Sequence, residues 1–318
     1  MSSLLNANKR RPSQLGMRIK KHRSLIPFVI PAIVFALVFC YLPMIGILIA
    51  FKESPNFGRY DAFEAFSRAE WTMENFEKIF SDPEIMKYVV NTLIISVMKI
   101  VILFPMPIIL AVLISEVRSK GFSKLVQGIV FLPHFFSWVV IVGIFNSLFG
   151  MYGPINNLSE AMGTDRIYFM GDPGWFRWLV VILSGWKEIG YSSIVYIAAI
   201  SAIDPALYES AKLDGASKIR QIRSVTIPLI MPTIVTMLII RIGYLMDAGF
   251  EQVYAMLNPL TRETGEIIGT YVYRLGLGTG SRDYGLSTAV GLANGIIALL
   301  LILGANKISK KTMGTGIW

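Results

Sequence analysis

Five ionisable side chains interrupt the apolar stretches of this sequence: Lys99, Lys187, Glu188, Arg241 and Asp247. A charge at the centre of a membrane helix costs about 2.5 to 3.5 kcal/mol on insertion scales, so such residues face a bundle interior or water. Lys99 and Lys187 fall near the middle of their apolar runs, Arg241 nearer one end, and Asp247 close enough to the interface to be solvated. Lys187 and Glu188 are neighbours, about 100° apart on a helix, so each pairs better across helices than with the other. Tyr191 lies one turn from Lys187, and Tyr244 close to one turn from Arg241, which gives each cation a hydroxyl and a ring. Two uses stand open. One is a set of structural ion pairs between helices. The other is a polar, water-filled pathway in which Lys187 and Arg241, with Lys99, favour anionic cargo.

Other chemistry is thinly supplied. The two histidines, His22 and His134, preclude His-Glu-x-x-His zinc chemistry and leave no basis for a Ser-His-Asp triad. His134 reads as a hydrogen-bonded packing residue. A Gly-x-x-x-x-Gly-Lys-Ser/Thr phosphate loop is absent, so the chain is not expected to bind ATP or any other cofactor itself. The single cysteine, Cys40, permits neither a disulfide framework nor a thiolate metal site and is expected to pack inertly. Few histidines and no clustered carboxylates argue against a membrane enzyme acting on lipid-linked sugars. No catalytic or metal-ligating residue is assigned.

The elements that must hold these charges are membrane helices. The 318 residues are 54% apolar and 16% charged, with a mean hydropathy of +0.57, far beyond a soluble domain. Runs of about 20 residues, enough to cross hydrocarbon, occur at 25–51, 88–115, 125–148, 178–202, 226–246 and 286–306. This predicts an all-α integral membrane protein of six spans: a basic tail (1–24), one membrane domain (25–306) and a C-terminal tail (307–318). The first run is too long for a signal peptide and lacks a small-residue cleavage site, so it reads as an uncleaved span kinked at Pro27, Pro31 and Pro43. The net charge of +9 is spread along the flanks of the spans rather than along one face, which excludes a nucleic-acid surface. Alternating sides places 17 basic residues on the face of the tail and 10 on the other. The positive-inside rule then puts both termini in the cytoplasm of a cell membrane.

Three outer segments are longer. In 52–87, Met73, Phe76, Ile79 and Phe80 have the spacing of an amphipathic helix. Segment 149–177 reads as a turn-rich loop ending in Trp175, Phe176 and Trp178 at the membrane edge. In 248–285, Tyr271 and Tyr273 could stack on sugar rings or form an interfacial belt.

One inner loop is organised differently. Asp204 is an N-cap, Pro205 suits the first helical position, and Gly215 follows Asp214 where a helix needs a left-handed stop, predicting a helix over 205–213. Ser217 caps a second helix through Ile219, Ile222 and Val225, which Pro228 is expected to interrupt. Small residues Ala206, Ser210 and Ala211 allow close approach of another surface, while Tyr208, Glu209 and Lys212 offer directional contacts. An amphipathic segment resting on lipid headgroups fits the same residues.

Glu209, Ser210, Ala211, Gly215, Val225, Ile227 and Pro228 resemble the Glu-Ala-Ala, Gly, Ile-x-Leu-Pro loop of binding-protein-dependent ABC importer permeases, with conservative changes at Ser210, Val225 and Ile227. Further strings extend the resemblance to the oligosaccharide and polysaccharide branch, which includes an alginate importer: Asn75-Phe76 with Asn91-Thr92-Leu93, Leu132-Pro133-His134 with Ser137-Trp138, Gly249-Phe250-Glu251-Gln252-Val253, Asn258-Pro259, Thr270 to Arg274, and Gly316-Ile317-Trp318. The resemblance implies a type I permease that carries oligosaccharides by alternating access. It implies an ATPase-docking helix formed by Leu207, Tyr208, Glu209, Ser210, Ala211, Asp214, Gly215 and Ala216. It implies a second homologous permease, two ATPase subunits that use ATP and Mg, and an extracytoplasmic solute-binding protein. Lys99, Lys187, Glu188, Tyr191, Arg241, Tyr244, Tyr271 and Tyr273 are the pathway candidates. Another solute class, an amino acid or a metal complex, uses the same loop and remains the alternative.

Overall fold

A computed structural model describes residues 26–279, 282–314 and 316–317; the basic tail 1–24 lies outside them. Among the described residues every regular element is helical, and one isolated antiparallel bridge, Lys52 to Trp71, is the single strand-like pairing. The chain divides into two units at residues 49 and 50.

The first unit holds helix α1 (Ile26–Ala36), a wide π-turn (Leu37–Tyr41) and most of a 3-10 stretch (Leu42–Phe51). Cys40, expected to pack, is exposed. Its helix is apolar on every side, so the sulfur has no polar face to avoid and no requirement for burial against protein.

The second unit contains, in order, α2 (Ala62–Arg68), α3 (Glu74–Ser81), α4 (Pro83–Met98), a π-turn (Lys99–Leu103) and α5 (Pro105–Ser115). Next come α6 (Lys120–Phe131), a 3-10 turn (Leu132–Phe135), α7 (Trp138–Phe149) and α8 (Pro154–Ala161). Helix α9 (Pro173–Ser201) is followed by α10 (Pro205–Leu213), α11 (Lys218–Gln221), a π-turn (Ile222–Thr226) and α12 (Ile227–Gly243). The chain closes with α13 (Phe250–Met256), α14 (Arg262–Gly265), α15 (Ile268–Leu277) and α16 (Tyr284–Met313). Five helical stretches are long and apolar enough to cross a membrane: Pro27–Phe51, Pro83–Glu116, Trp138–Ala161, Lys218–Gly243 and Tyr284–Met313. Helix α9 passes together with α10 as a pair bent by 70°, which brings the number to six where that pair is one span.

Prolines decide where these helices widen or break. Proline lacks an N–H and its ring crowds the carbonyl four residues back. The π-turns Leu37–Tyr41, Lys99–Leu103 and Ile222–Thr226 each end two residues before a proline, Pro43, Pro105 and Pro228. The wider turn spreads the carbonyls the ring would strike. Pro228 therefore does not interrupt its helix, contrary to expectation, and Lys218–Gly243 runs on for 26 residues. The predicted span 125–148 fails the other way. After Pro133 the chain becomes extended at Phe136 (ψ 143°) and Ser137 (ψ 156°), and Ser137 caps a new helix by accepting from Val140 N at 3.3 Å. Outer segment 149–177 gains helix α8, locked by buried Asn156, whose amide donates to Gly150 O and Ile167 O and accepts from Ile167 N. Helix α16 continues through 307–313, so the tail bends only at Gly314 (φ 67°), and Ile317 N returns to Asn306 Oδ1 at 2.8 Å.

Helix α9 is the axis of the second unit: it packs on α4, α5, α6, α12 and α14. Glycines permit the closest approaches. A Cβ on Gly190 would stand 1.9 Å from Val130 O of α6, so no larger residue fits there. Phe176, expected at the membrane edge, is 1% exposed and lies under Gly265, where an added Cβ would come within 2.4 Å of the ring; Trp175 and Trp178 are exposed as expected. Of the predicted outer amphipathic face, Ile79 is buried and Phe76 packs on Phe51 at 5.1 Å, while Met73 and Phe80 are exposed. The two misplaced residues flank α3, one as its N-cap and one on the far side of the buried face.

Glu266 pins the outer segment. It is fully buried, and Arg274 reaches it through Nε at 2.8 Å and Nη2 at 3.2 Å, with Arg262 at 3.7 Å. The hydrogen bond to this carboxylate holds the Arg274 guanidinium above its ordinary range despite partial burial. Removing one partner of a buried pair leaves an uncompensated charge. Arg274→Met is expected to destabilise the fold by about 3 kcal/mol, the low end of that class because Arg262 remains. Pairing it with Glu266→Gln should recover part of the loss in thermal unfolding of the purified protein.

Candidate functional site

Polar groups in the membrane region collect around α9. A cavity of about 190 Å³ is lined by Ser96, Lys99, Glu188, Arg241, Tyr244 and Asp247, together with the Leu245 to Gly249 turn. The turn is a tight reversal between α12 and α13: Ala248 has φ 52° and Gly249 φ 88°. Lys99 closes it, donating to Ala248 O at 2.9 Å and Gln252 Oε1 at 2.8 Å. Ser96 Oγ donates to Leu245 O. Gln252 is fully buried and fully used, accepting also from Ser184 Oγ at 2.6 Å and donating to Val180 O at 2.7 Å. A Cβ at Gly249 would sit 2.7 Å from Lys99 Nζ, so this glycine is required by both backbone and space. Lys99 is thus a turn-holding residue at the cavity wall.

Lys187 acts at the break between α6 and α7. The last carbonyls of a helix have no partner within it, and inside a membrane each unsatisfied group costs several kcal/mol. Lys187 Nζ donates to His134 O at 2.7 Å and to Phe136 O, with the Trp138 ring 5.4 Å away. A cation at a helix C-terminus is also favoured by the helix dipole. His134 packs as expected, stacked on Tyr191 at 3.7 Å and 1° between planes, but its Nδ1 lacks a hydrogen-bond partner. The expected partner of Lys187 was a carboxylate or cargo; the structure supplies carbonyls, because Pro133 broke the helix opposite it.

Glu188 and Arg241 pair across α9 and α12 at 3.3 Å, both partly open to the cavity. A second cavity of about 80 Å³ touches the same two residues. Asp247 is exposed at the cavity edge, as its interfacial position predicts. Tyr244 joins Arg241 in the lining and is exposed. The other tyrosines stand apart: Tyr271 is buried against Tyr88 at 4.9 Å, and Tyr273 packs on Phe250 at 5.7 Å and Tyr254 at 4.9 Å. Ser184 was missed, and Gln252 was noted within the Gly249 to Val253 string but not assigned to the site; a glutamine just past the end of an apolar run that contains Arg241 was the available signal.

The loop after α9 folds as its caps dictate. Asp204 Oδ1 accepts from Ala206 N at 2.9 Å. Gly215, at φ 73°, ends α10, with Gly215 N on Lys212 O at 3.0 Å and Ala216 N on Ala211 O at 2.9 Å. Ser217 caps α11. No residue of α10 is buried; Leu207 is 46% and Leu213 90% exposed. Glu209 and Ser210 are exposed, Ala211 and Ala216 half-buried, and Asp214 exposed at the C-cap. Tyr208 alone ties α10 back, its hydroxyl 3.0 Å from Thr226 Oγ1 at the head of α12. Lys218 anchors α11 to Glu116 at the end of α5. This is a capped helix held by one tyrosine, with an apolar and small-residue surface left uncovered.

The model of the binding-protein-dependent transport system inner membrane component family matches residues 103–311. The chain belongs to this family. That match includes the projecting helix, Lys187, Glu188 and Arg241, and most of the cavity. Among relatives, the polygalacturonan/rhamnogalacturonan transport system permease protein YteP of Bacillus subtilis is 39% identical over 98% of this chain and 95% of its own length. Protein LplB of the same organism is 38% identical over 94% of this chain and 92% of its own. The crystal structure of a bacterial ABC transporter involved in the import of the acidic polysaccharide alginate contains a chain with TM-score 0.85 and 39% identity, covering 94% of this chain and 99% of that one. The permease fold inferred from the loop motif is thereby established over nearly the whole length.

Lys187→Met removes the donor from two carbonyls, at about 1 to 3 kcal/mol for each orphaned group. The expected result is a clear drop in melting temperature and equal loss of transport for charged and neutral cargo. Glu188→Gln, at a partly solvated pair, should change stability by less than about 1 kcal/mol, which the same melting measurement will show.

Proposed function

We propose that this chain is the permease subunit of an ABC importer that moves oligosaccharide fragments, uronate-bearing ones in particular, into the bacterial cytoplasm by alternating access. The observation that carries it is the 39% identity, over almost the full length, to both a polygalacturonan/rhamnogalacturonan permease and a chain of the alginate importer. The polymers named for these two proteins are rich in uronic acids, and that shared chemistry defines the cargo class.

Within the cavity, Arg241 is the cation suited to such cargo. Lys99 and Lys187 spend their protons on backbone carbonyls and one glutamine. Arg241 instead holds a side-chain carboxylate in a partly open site, and a guanidinium can exchange one carboxylate for another with little rearrangement. A uronate displacing Glu188 would keep the charge count of the cavity balanced if it entered with a proton. Tyr244 beside it offers a ring and a hydroxyl.

Energy comes from a separate ATPase using ATP and Mg, docked on Leu207, Tyr208, Glu209, Ser210, Ala211, Asp214, Gly215 and Ala216 at the cytoplasmic face. A second homologous permease completes the pathway, and an extracytoplasmic solute-binding protein delivers the sugar; a solved alginate transporter complex contains an alginate pentasaccharide-bound periplasmic protein. Both termini are cytoplasmic, on the 17 to 10 asymmetry of basic residues.

Arg241→Gln tests the cargo. Uptake of an oligouronate into vesicles holding the full transporter should fall at least severalfold, while uptake of its carboxyl-reduced counterpart should persist. Equal loss of both would overturn the role of Arg241. Gly215→Val tests the docking helix: a β-branched residue at φ 73° costs about 1 to 2 kcal/mol locally, so membrane insertion should survive while the ATPase no longer copurifies. A cysteine at Ser217 should be shielded from an impermeant thiol reagent in whole cells, and one at Thr264 should react; the reverse pattern would invert the topology.

A further inference from the structure

A larger cavity, about 620 Å³, opens between α5, α6, α9 and the projecting helix α10. Its lining combines apolar Ile114, Ile197 and Ile200 with polar Ser123, Gln127 and Ser201 and with the exposed Lys120, Lys124 and Lys212. Among the described residues none of these lysines takes part in an ion pair or side-chain hydrogen bond, unlike Lys218 next door, which is held by Glu116. Glu209 is the one acid in the lining, so the rim has a net charge of +2. An adjoining cavity of about 320 Å³ shares Tyr208 and Lys212 and adds Arg118 and the Lys218 to Glu116 pair.

Three ammonium groups and three isoleucines in one lining suit an amphipathic anion. A sugar would leave the isoleucines against polar hydroxyls, and a free inorganic anion would leave them against water. We propose that this cavity binds an anionic phospholipid, its phosphate held by Lys120, Lys124 and Lys212 and an acyl chain lying on Ile114, Ile197 and Ile200. Basic pockets between membrane helices on the cytoplasmic side have this recognition chemistry. The cavity also touches Tyr208 and Glu209, the residues that join the projecting helix to the bundle and offer its polar surface. A lipid seated there stiffens the base of α10 and regulates coupling to the ATPase. The inference rests on the cytoplasmic placement of α10 proposed above.

The test uses the whole transporter in nanodiscs of phosphatidylcholine alone or mixed with phosphatidylglycerol, read by native mass spectrometry and by ATPase rate. The wild type should retain phosphatidylglycerol selectively and hydrolyse ATP faster in the mixed discs. Each lysine near a charged surface contributes about a fivefold preference, so Lys120→Gln with Lys124→Gln should cut retention by about 25-fold and abolish the lipid effect on rate. Arg220→Gln, outside the cavity lining, should alter neither. Retention unchanged in the double variant would overturn the proposal. Displacement of the lipid by inorganic phosphate or glycerol 3-phosphate at similar concentration would assign the rim to a soluble phosphate instead and also overturn it. Loss of ATPase copurification with lipid retention intact would assign the lysines to a protein partner. Lipid retention does not depend on cargo or on transport, so a failure here is distinguishable from a failure of the proposed cargo, and the Ser217 labelling separately reports the topology.

Discussion

Every backbone N–H and C=O inside hydrocarbon must find a partner within the protein, and this constraint shapes the molecule more than any other. The chain meets it with unusual frequency because it carries so many prolines in its spans. Where a proline follows a π-turn, as at Pro105 and Pro228, the helix survives by widening. Where Pro133 follows a straight helix, the helix stops, and a lysine from α9 must satisfy the freed carbonyls. The same device recurs at the Ala248 to Gly249 reversal, where Lys99 supplies the donors. Two of the three cations of the spans are therefore structural mortar, placed at two irregular points of the bundle.

This allocation changes how the charge of the membrane region should be read. Counted from the sequence, the spans hold three cations against two acids, which suggests a positive pathway. In the fold, Lys99 and Lys187 are both less than a tenth exposed, so their fields are largely spent on dipoles within reach. The cavity itself is balanced, with Lys99 and Arg241 against Glu188 and Asp247. Selectivity for an acidic cargo then cannot come from bulk positive charge. Under the proposed function it comes from exchange at a single site, and the half-open Arg241 to Glu188 pair is the ion pair in the cavity lining with a side-chain carboxylate to replace.

Much of this was legible in the residues. The caps of α10 and α11 lie at Asp204, Gly215 and Ser217, as their chemistry requires, because capping is local and needs no knowledge of the rest of the chain. The run lengths predict six crossings and the structure has five or six, though the predicted run 125–148 is broken after Pro133. What escaped was everything set by contact. Pro133 and Pro228 look alike in sequence, yet one breaks a helix and the other does not; the difference lies in whether a neighbouring helix can supply a donor or the preceding turn can widen. Tyr271 and Phe176 look like interfacial aromatics by position, but close packing at Tyr88 and Gly265 buries them. Gln252 gave little sign of its importance, since one buried amide that bridges Lys99, Ser184 and Val180 has no periodic signature.

The unbroken helix from Lys218 to Gly243 connects the two ends of the machine. Tyr208 of the projecting helix touches Thr226 at its head, and Arg241 sits near its far end. Fifteen residues at 1.5 Å each separate Thr226 from Arg241, about 22 Å along one axis. Had Pro228 broken this helix, a displacement of α10 would be absorbed at the joint. Because the π-turn keeps it whole, the Tyr208 contact and the cavity lie on one continuous helix. There the pairing of Arg241 with Glu188 depends on the relative position of α12 and α9. The chain bends by 70° between α9 and α10, so α10 departs from the direction of α9 and meets α12 through Tyr208. A wide turn placed two residues before a proline is thus what allows the contact with the projecting helix and the cavity lining to share one element.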